Sequence, residues 1–201
     1  MAKRRVRHHV NPLADMTEHS FAGFDNDRPI IMDIGADRGE FTQKLIEKFG
    51  DTKNFIVCEI RKPLAERLRK KFSDHENVAV FDGDIVRNFL KIIKPSVDRG
   101  VIVEEVYVNF PDPWFKDRHK KRRVITEKFV LKVQEWMPAG TKWIFQTDQK
   151  QLFEETVEML RGIEGVTIEF FNNTPHDVTT KWEEAKIAQN SVIYRMMFYI
   201  K

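Results

Sequence analysis

The chain has 201 residues, 41% apolar and 32% charged, which is enough apolar material for one full core and too much for a disordered segment. A net charge of +3 does not by itself point to nucleic acid, and the single cysteine, Cys58, excludes an internal disulfide and fits a reducing compartment. There is no apolar run of about 18 residues and no secretory apolar core at the N-terminus, so a soluble, cytoplasmic protein without a membrane partner is expected.

Residues 1–27 carry a basic cluster from Lys3 to His9 and a turn signal at Asn11 and Pro12. They read as a basic N-terminal arm, partly flexible, ahead of one domain over residues 28–201. From Pro29 short β-branched runs alternate with amphipathic stretches, the pattern of a parallel sheet with helices on both faces. Strands are predicted at 30–34, 54–59, 78–81, 103–109 and 142–147, and helices at 40–49, 63–72, 85–93, 126–136 and 149–161. Pro63 suits a first helical turn, while Pro138 with Gly140 marks a stop. After Gly165, residues 166–171 and 192–199 read as an antiparallel pair joined by a polar segment containing TTKWEEAK. The total is a mostly parallel, seven-stranded α/β sheet. Cys58, within FIVCEI, reads as a small buried hydrophobe.

In open sheets of this kind ligands bind beyond the carboxyl ends of the strands. An acidic residue closes each of the first five strands. Asp33 precedes the loop Gly35, Ala36, Asp37, Arg38, Gly39; Glu59 ends the second strand; Asp82 and Asp84 follow the third, Asp112 the fourth and Asp148 the fifth. A phosphate-rich cofactor would be repelled there, whereas ribose hydroxyls, an adenine amine, an ammonium and a sulfonium would be accepted. The dinucleotide fingerprint needs glycine where Asp37 and Glu40 stand, which argues against NAD and for S-adenosylmethionine. The histidines have no ligand spacing and there is no HExxH, paired CxxC, GxSxG or phosphate-loop motif, so no metal is expected.

The densest positive charge follows the fourth strand in VYVNFPDPWFKDRHKKRR. Pro111 and Pro113 stop the strand, and Asp112 is expected to project between them. Trp114 offers a flat apolar surface for a nucleobase, and Lys116, Arg118, Lys120, Lys121, Arg122 and Arg123 offer charge for phosphates. The plain alternative is a Pro-rich turn leading into a solvated helical turn.

With MDIGADRGEF, VCEI, FDGD, FQTD, TKWEE and VIYRMMF, that segment makes the chain resemble the bacterial tRNA (guanine-N(7)-)-methyltransferases, over nearly all of it after residue 29. The resemblance implies a Rossmann-like class I methyltransferase fold and tRNA (guanine(46)-N(7))-methyltransferase activity on a variable-loop guanosine, in a monomer or homodimer with tRNA as partner. It implies that Asp33, Glu59, Asp82 or Asp84, and Asp112 contact S-adenosylmethionine alongside the loop glycines Gly35 and Gly39. It implies also that Lys116, Asp148, Thr180, Lys181, Trp182 and Glu183 contact tRNA, with Trp114 and Arg118 beside them. Asp112 is the candidate catalytic residue, with Asp148 as the alternative. Asp37 replaces a glycine common in the family, and Asp33 a longer Glu. Helix caps account equally for Asp148 and Thr180. A non-catalytic RNA-binding module and a small-molecule methyltransferase are the other functional readings.

Overall fold

In the computed structural model, which describes residues 10–137 and 139–201, the strands divide their side chains between two cores. Ile30, Met32 and Ile34 enter one and Ile31 the other; Ile56 and Cys58 oppose Phe55 and Val57; Val106 and Val108 oppose Tyr107. This is the period-two alternation of strands covered on both faces. The strands are β1 Ile30–Ile34, β2 Asn54–Glu59, β3 Val78–Asp82, β4 Val103–Asn109, β5 Lys142–Thr147, β6 Val166–Phe170 and β7 Tyr194–Ile200. Their spatial order is β3-β2-β1-β4-β5-β7-β6. β1 to β5 are parallel, and β7 runs antiparallel between β5 and β6.

The helices are α1 Glu40–Phe49, α2 Lys62–Lys71, α3 Ile85–Val97, α4 Asp117–Lys120, α5 Glu127–Gln134, α6 Lys150–Arg161 and α7 Lys181–Ala188. Phe89 and Ile92 of α3, Phe129 and Val133 of α5, and Leu152 and Leu160 of α6 fill one core. Phe41 and Leu45 of α1 and Leu68 of α2 fill the other. Asp84 caps α3 by accepting from the Val86 amide at 3.0 Å. The elements agree with the expected ones except at their ends. α3 runs past Pro95 because the Asp98 amide still reaches the Lys94 carbonyl at 2.8 Å, so proline interrupts only the last turn.

The stretch expected as an arm is fastened to the domain from Asp15 onward. Phe24 is buried, Asn88 of α3 donates to the Thr17 carbonyl at 2.8 Å, and His19 meets the Asp82 carbonyl at 2.6 Å. The basic residues Lys3 to His9 and the stop at Pro138 lie outside the described residues. Among the described residues no helix is long and apolar enough to cross a membrane, and no group of His, Cys, Asp and Glu is arranged to hold a metal ion.

Gly39 starts α1 at φ +69°, and a Cβ there would sit 2.5 Å from Leu68 Cδ2 and 2.9 Å from Phe72 Cε2. The contact of α1 with α2 therefore needs glycine. Gly39→Ala is expected to lose about 1–3 kcal/mol in urea unfolding; an unchanged midpoint would contradict this packing.

Candidate active site

The carboxyl ends of β3, β2, β1 and β4 stand side by side, and a cavity of about 210 Å³ opens above them. Gly35, Glu59, Arg61, Asp84, Asn109, Asp112, Trp114 and Arg122 are among its lining residues. Gly35 has φ +86°, and a Cβ built there would meet nothing within 4 Å, so the loop after β1 shows bare backbone to open space.

Glu59, 2% exposed, accepts four hydrogen bonds from its own chain. Oε1 takes the Arg61 amide and Nε, both at 2.8 Å; Oε2 takes the Asp37 amide and Arg61 Nη2, both at 2.9 Å. These donors fill the acceptor positions of a carboxylate, which is how the ion is tolerated inside. Asp37 does adopt the left-handed backbone, at φ +50°, and its carboxylate holds the same Arg61 Nη2 at 2.8 Å.

Asp82 and Asp84 part company. Asp82 turns toward Arg69 and His19, and although burial opposes it, the hydrogen bond and charge of Arg69 hold its pKa below the ordinary value. Asp84 lines the cavity, with burial raising its pKa against the opposing Val86 amide. Asp33 does not line the cavity. It is 3% exposed and accepts from Thr42 Oγ1 of α1 at 2.6 Å. Burial pushes its pKa up to about 6, opposed by the Thr42 hydrogen bond and assisted by the charge of Glu59. Gly39 also lies off the cavity and serves packing.

Sequence reasoning missed Asn109. It lines the cavity, yet neither atom of its side-chain amide has a hydrogen-bond partner among the described residues, although both are enclosed. Its position as the last residue of β4 was the available signal; its lack of charge hid it. Phe110 at φ +49° and Trp114 at φ +43° bracket the Pro111-Asp112-Pro113 turn, so the turn that carries Asp112 is built on strained backbone.

The basic block is not one solvated rim. Arg123 donates to the Pro113 carbonyl at 2.8 Å and to Glu155 of α6 at 2.7 Å, and Lys120 reaches Glu155 at 2.9 Å. Hydrogen bonds from Gln151, Lys120 and Arg123 hold the Glu155 carboxyl at about 2. Arg122 lies 4.9 Å from the centre of the Trp114 ring, and His119 meets that ring edge-on at 5.8 Å. Lys116, Arg118 and Lys121 are exposed.

The expected tRNA contacts around α7 divide in the same way. Asp148 pairs with Lys186 at 2.8 Å, and Lys186 lies 4.9 Å over the exposed Trp182 ring. Lys181 is exposed and pairs with Glu40 of α1. Thr180 and Glu183 form the capping box of α7. Glu183 is fully buried, with Arg195 at 2.7 Å and Gln146 at 3.1 Å. Its enclosed carboxylate positions α7.

Residues 27–196 match the family described as "Putative methyltransferase". A tRNA (guanine-N(7)-)-methyltransferase of Thermosynechococcus vestitus is 31% identical, covering 96% of this chain and 94% of that protein. The chain belongs to this methyltransferase family. Enzymes of the same name from Microcystis aeruginosa, 30% identical with 100% of each chain covered, and Bacillus subtilis, 31% identical with 86% and 81% covered, extend the likeness. Among solved structures, a SAM-dependent O-methyltransferase from Thermotoga maritima (TM-score 0.51, 16% identity, 88% and 60% covered) shares the fold. So does a precorrin-6y C5,15-methyltransferase from Geobacter metallireducens (0.52, 11%, 88% and 81%). The fold is thus the class I methyltransferase fold.

A pH test isolates Asp33. Its folded pKa is raised, so its charged form costs stability, and that cost grows as pH rises from about 4 to about 6. Between pH 4 and 7 the wild type should lose on the order of 2–3 kcal/mol relative to Asp33→Asn in denaturant unfolding. A pH-independent difference would contradict the assigned environment.

Proposed function

We propose that this chain transfers a methyl group from S-adenosylmethionine to the 7-nitrogen of a variable-loop guanosine in tRNA. The observation that carries the reading is one cavity lined by Asp84, Glu59 and Asp112, bordered by Trp114 and opening beside the basic segment after β4.

The lining fits the donor. Its carboxylates accept from amine and hydroxyl groups, Gly35 leaves room for close approach, and the unpartnered Asn109 amide supplies both a donor and an acceptor. Bound there, S-adenosylmethionine would supply a sulfonium methyl: the guanine 7-nitrogen lone pair bonds to the methyl carbon as the carbon–sulfur bond breaks and S-adenosylhomocysteine leaves as the thioether. The 7-nitrogen of guanine has its lone pair free even in a paired base, so no strong base is needed. The lining residues have two tasks. Glu59 would take the ribose hydroxyls, Arg61 giving up part of its hold and keeping Asp37 as its partner. Asp112, which lines the cavity, would offset the positive charge that develops on the purine. Orientation of nucleophile, methyl and sulfur in line contributes up to roughly 7–11 kcal/mol in favourable systems. Asp112 is favoured over Asp148 for the charge-stabilising role because Asp148 does not line the cavity.

The deep groove of A-form RNA is closed to side chains, so the guanine must come from a loop or be turned out, at a cost of a few kcal/mol that stacking beside Trp114 and Arg122 offsets. Exposed Lys116, Arg118 and Lys121 hold the backbone. A small-molecule methyltransferase would have no use for them, and a non-catalytic module would have no use for a cavity that Asp37 leaves open.

Incubation with unmodified tRNA and labelled S-adenosylmethionine should yield 7-methylguanosine; label confined to protein or a metabolite would defeat the proposal. Asp112→Asn is expected to slow turnover about 100-fold or more without changing the fold, and wild-type turnover would remove it from the site. Replacing Lys116, Arg118 and Lys121 together by alanine should make the slope of log tRNA affinity against log salt shallower by about 2 to 3. The same slope as wild type would place the backbone elsewhere.

A further inference from the structure

The turn that carries Asp112 has little regular structure of its own. Between β4 and α5 the chain forms one short helix, α4, and Phe110 and Trp114 hold positive φ. The His119 amide donates to the Lys116 carbonyl at 2.7 Å and the Arg123 amide to the Lys120 carbonyl at 3.0 Å, but these bonds tie the segment only to itself. We propose that Glu155 of α6 is a positioning residue for methyl transfer, holding the Asp112 turn in place through Arg123. The inference rests on the tRNA-methylating reading of the site.

The linkage is short. Arg123 Nη1 donates to Glu155 Oε2 at 2.7 Å, and Nε of the same guanidinium donates to the Pro113 carbonyl at 2.8 Å. Pro113 follows Asp112 directly, so one planar group joins the α6 carboxylate to the backbone beside the site carboxylate. Because that group is a rigid fork, Nε and Nη1 move together, and a shift at Glu155 is passed on to Pro113. Glu155 is itself fixed. Its Oε1 takes Lys120 Nζ at 2.9 Å and Gln151 Nε2 at 3.0 Å, and the helix that carries it buries Leu152, Thr156, Val157 and Leu160. The anchor is therefore a helix packed on the sheet.

Phosphate binding does not account for Arg123. Its side chain is 10% exposed with Nε and Nη1 engaged inside the protein, whereas Lys116, Arg118 and Lys121 are exposed. Stability accounts for little of the pair, because the Glu155 side chain is 28% exposed and ion pairs open to water add little. What the pair supplies is direction. A displacement of about 1 Å at a group that must meet reacting atoms costs on the order of 100-fold in rate, and Asp112 sits on the turn that Arg123 holds. Removing the Glu155 charge has a second consequence of opposite sign for tRNA: the basic segment loses an internal anion that competes with phosphate for Lys120.

Turnover of unmodified tRNA, tRNA affinity over a range of salt, and the thermal midpoint are compared for the full chain, Glu155→Gln, Arg123→Lys and the double variant. Glu155→Gln should lower kcat about 10-fold or more, with tRNA bound no more weakly, the slope of log affinity against log salt steeper by about 1, and the midpoint of wild type. Arg123→Lys, a point charge that cannot bridge both partners, should lose as much turnover, and the double variant no more than either single, because all three break one linkage. Wild-type kcat in Glu155→Gln, or losses that multiply in the double variant, overturn the inference. A fall in kcat accompanied by weaker tRNA binding or a lowered midpoint also overturns it, because the role would then be structural only. A wild-type chain that methylates no guanine of tRNA overturns the reading of the site itself and this inference with it.

Discussion

Asp33, Glu59 and Asp84 are drawn to one edge of the sheet, and the rest of the arrangement follows from how each is compensated. A buried carboxylate is costly unless donors meet it. Thr42 meets Asp33, the Val86 amide meets Asp84, and Arg61 with the Asp37 amide meets Glu59. The Glu59 compensation is the informative one. Two of its four hydrogen bonds come from the Arg61 guanidinium, a group of a residue that itself lines the cavity and has a second partner in Asp37. The Arg61 guanidinium thus compensates a carboxylate that would otherwise be enclosed with fewer donors.

Much of this was legible in the sequence, because a parallel sheet covered on both faces leaves short apolar, β-branched runs between amphipathic stretches and ends its strands on one edge. β1, β2, β4 and β5 fell where those runs placed them. Burial was less legible. Asp33 and Asp84 carry the same side chain, yet one is enclosed against Thr42 and the other lines the cavity at the start of α3. Asn109 was hidden because an uncharged residue at the end of an apolar strand gives no chemical signal. The approach of Val10 and Pro12 to the cavity was invisible for a different reason: it is set by contacts of the following residues with Gly83 and Asn88, far away in the chain.

The positive segment shows how charge that looks uniform in sequence is divided in space. Lys120 and Arg123 are used to fasten the strained Pro111-Asp112-Pro113 turn to α6 through Glu155, and Arg122 covers the Trp114 ring. Surface ion pairs of this kind contribute little stability individually. Here they serve placement: the residues that hold the turn also hold Asp112 and Trp114 against the cavity. α7 follows the same division, with Glu183 and Thr180 fixing the helix and Lys181 and Trp182 on its exposed side.

A crystal structure of the chain with S-adenosylhomocysteine would show directly whether the acidic edge holds the proposed methyl donor in a fixed orientation. The purine is expected beside Asp84, the ribose hydroxyls on Glu59 with Arg61 drawn toward Asp37, and the sulfur toward Asp112. Ligand density in another part of the molecule, or in this cavity with the purine beside Asp112 and Trp114, would contradict it.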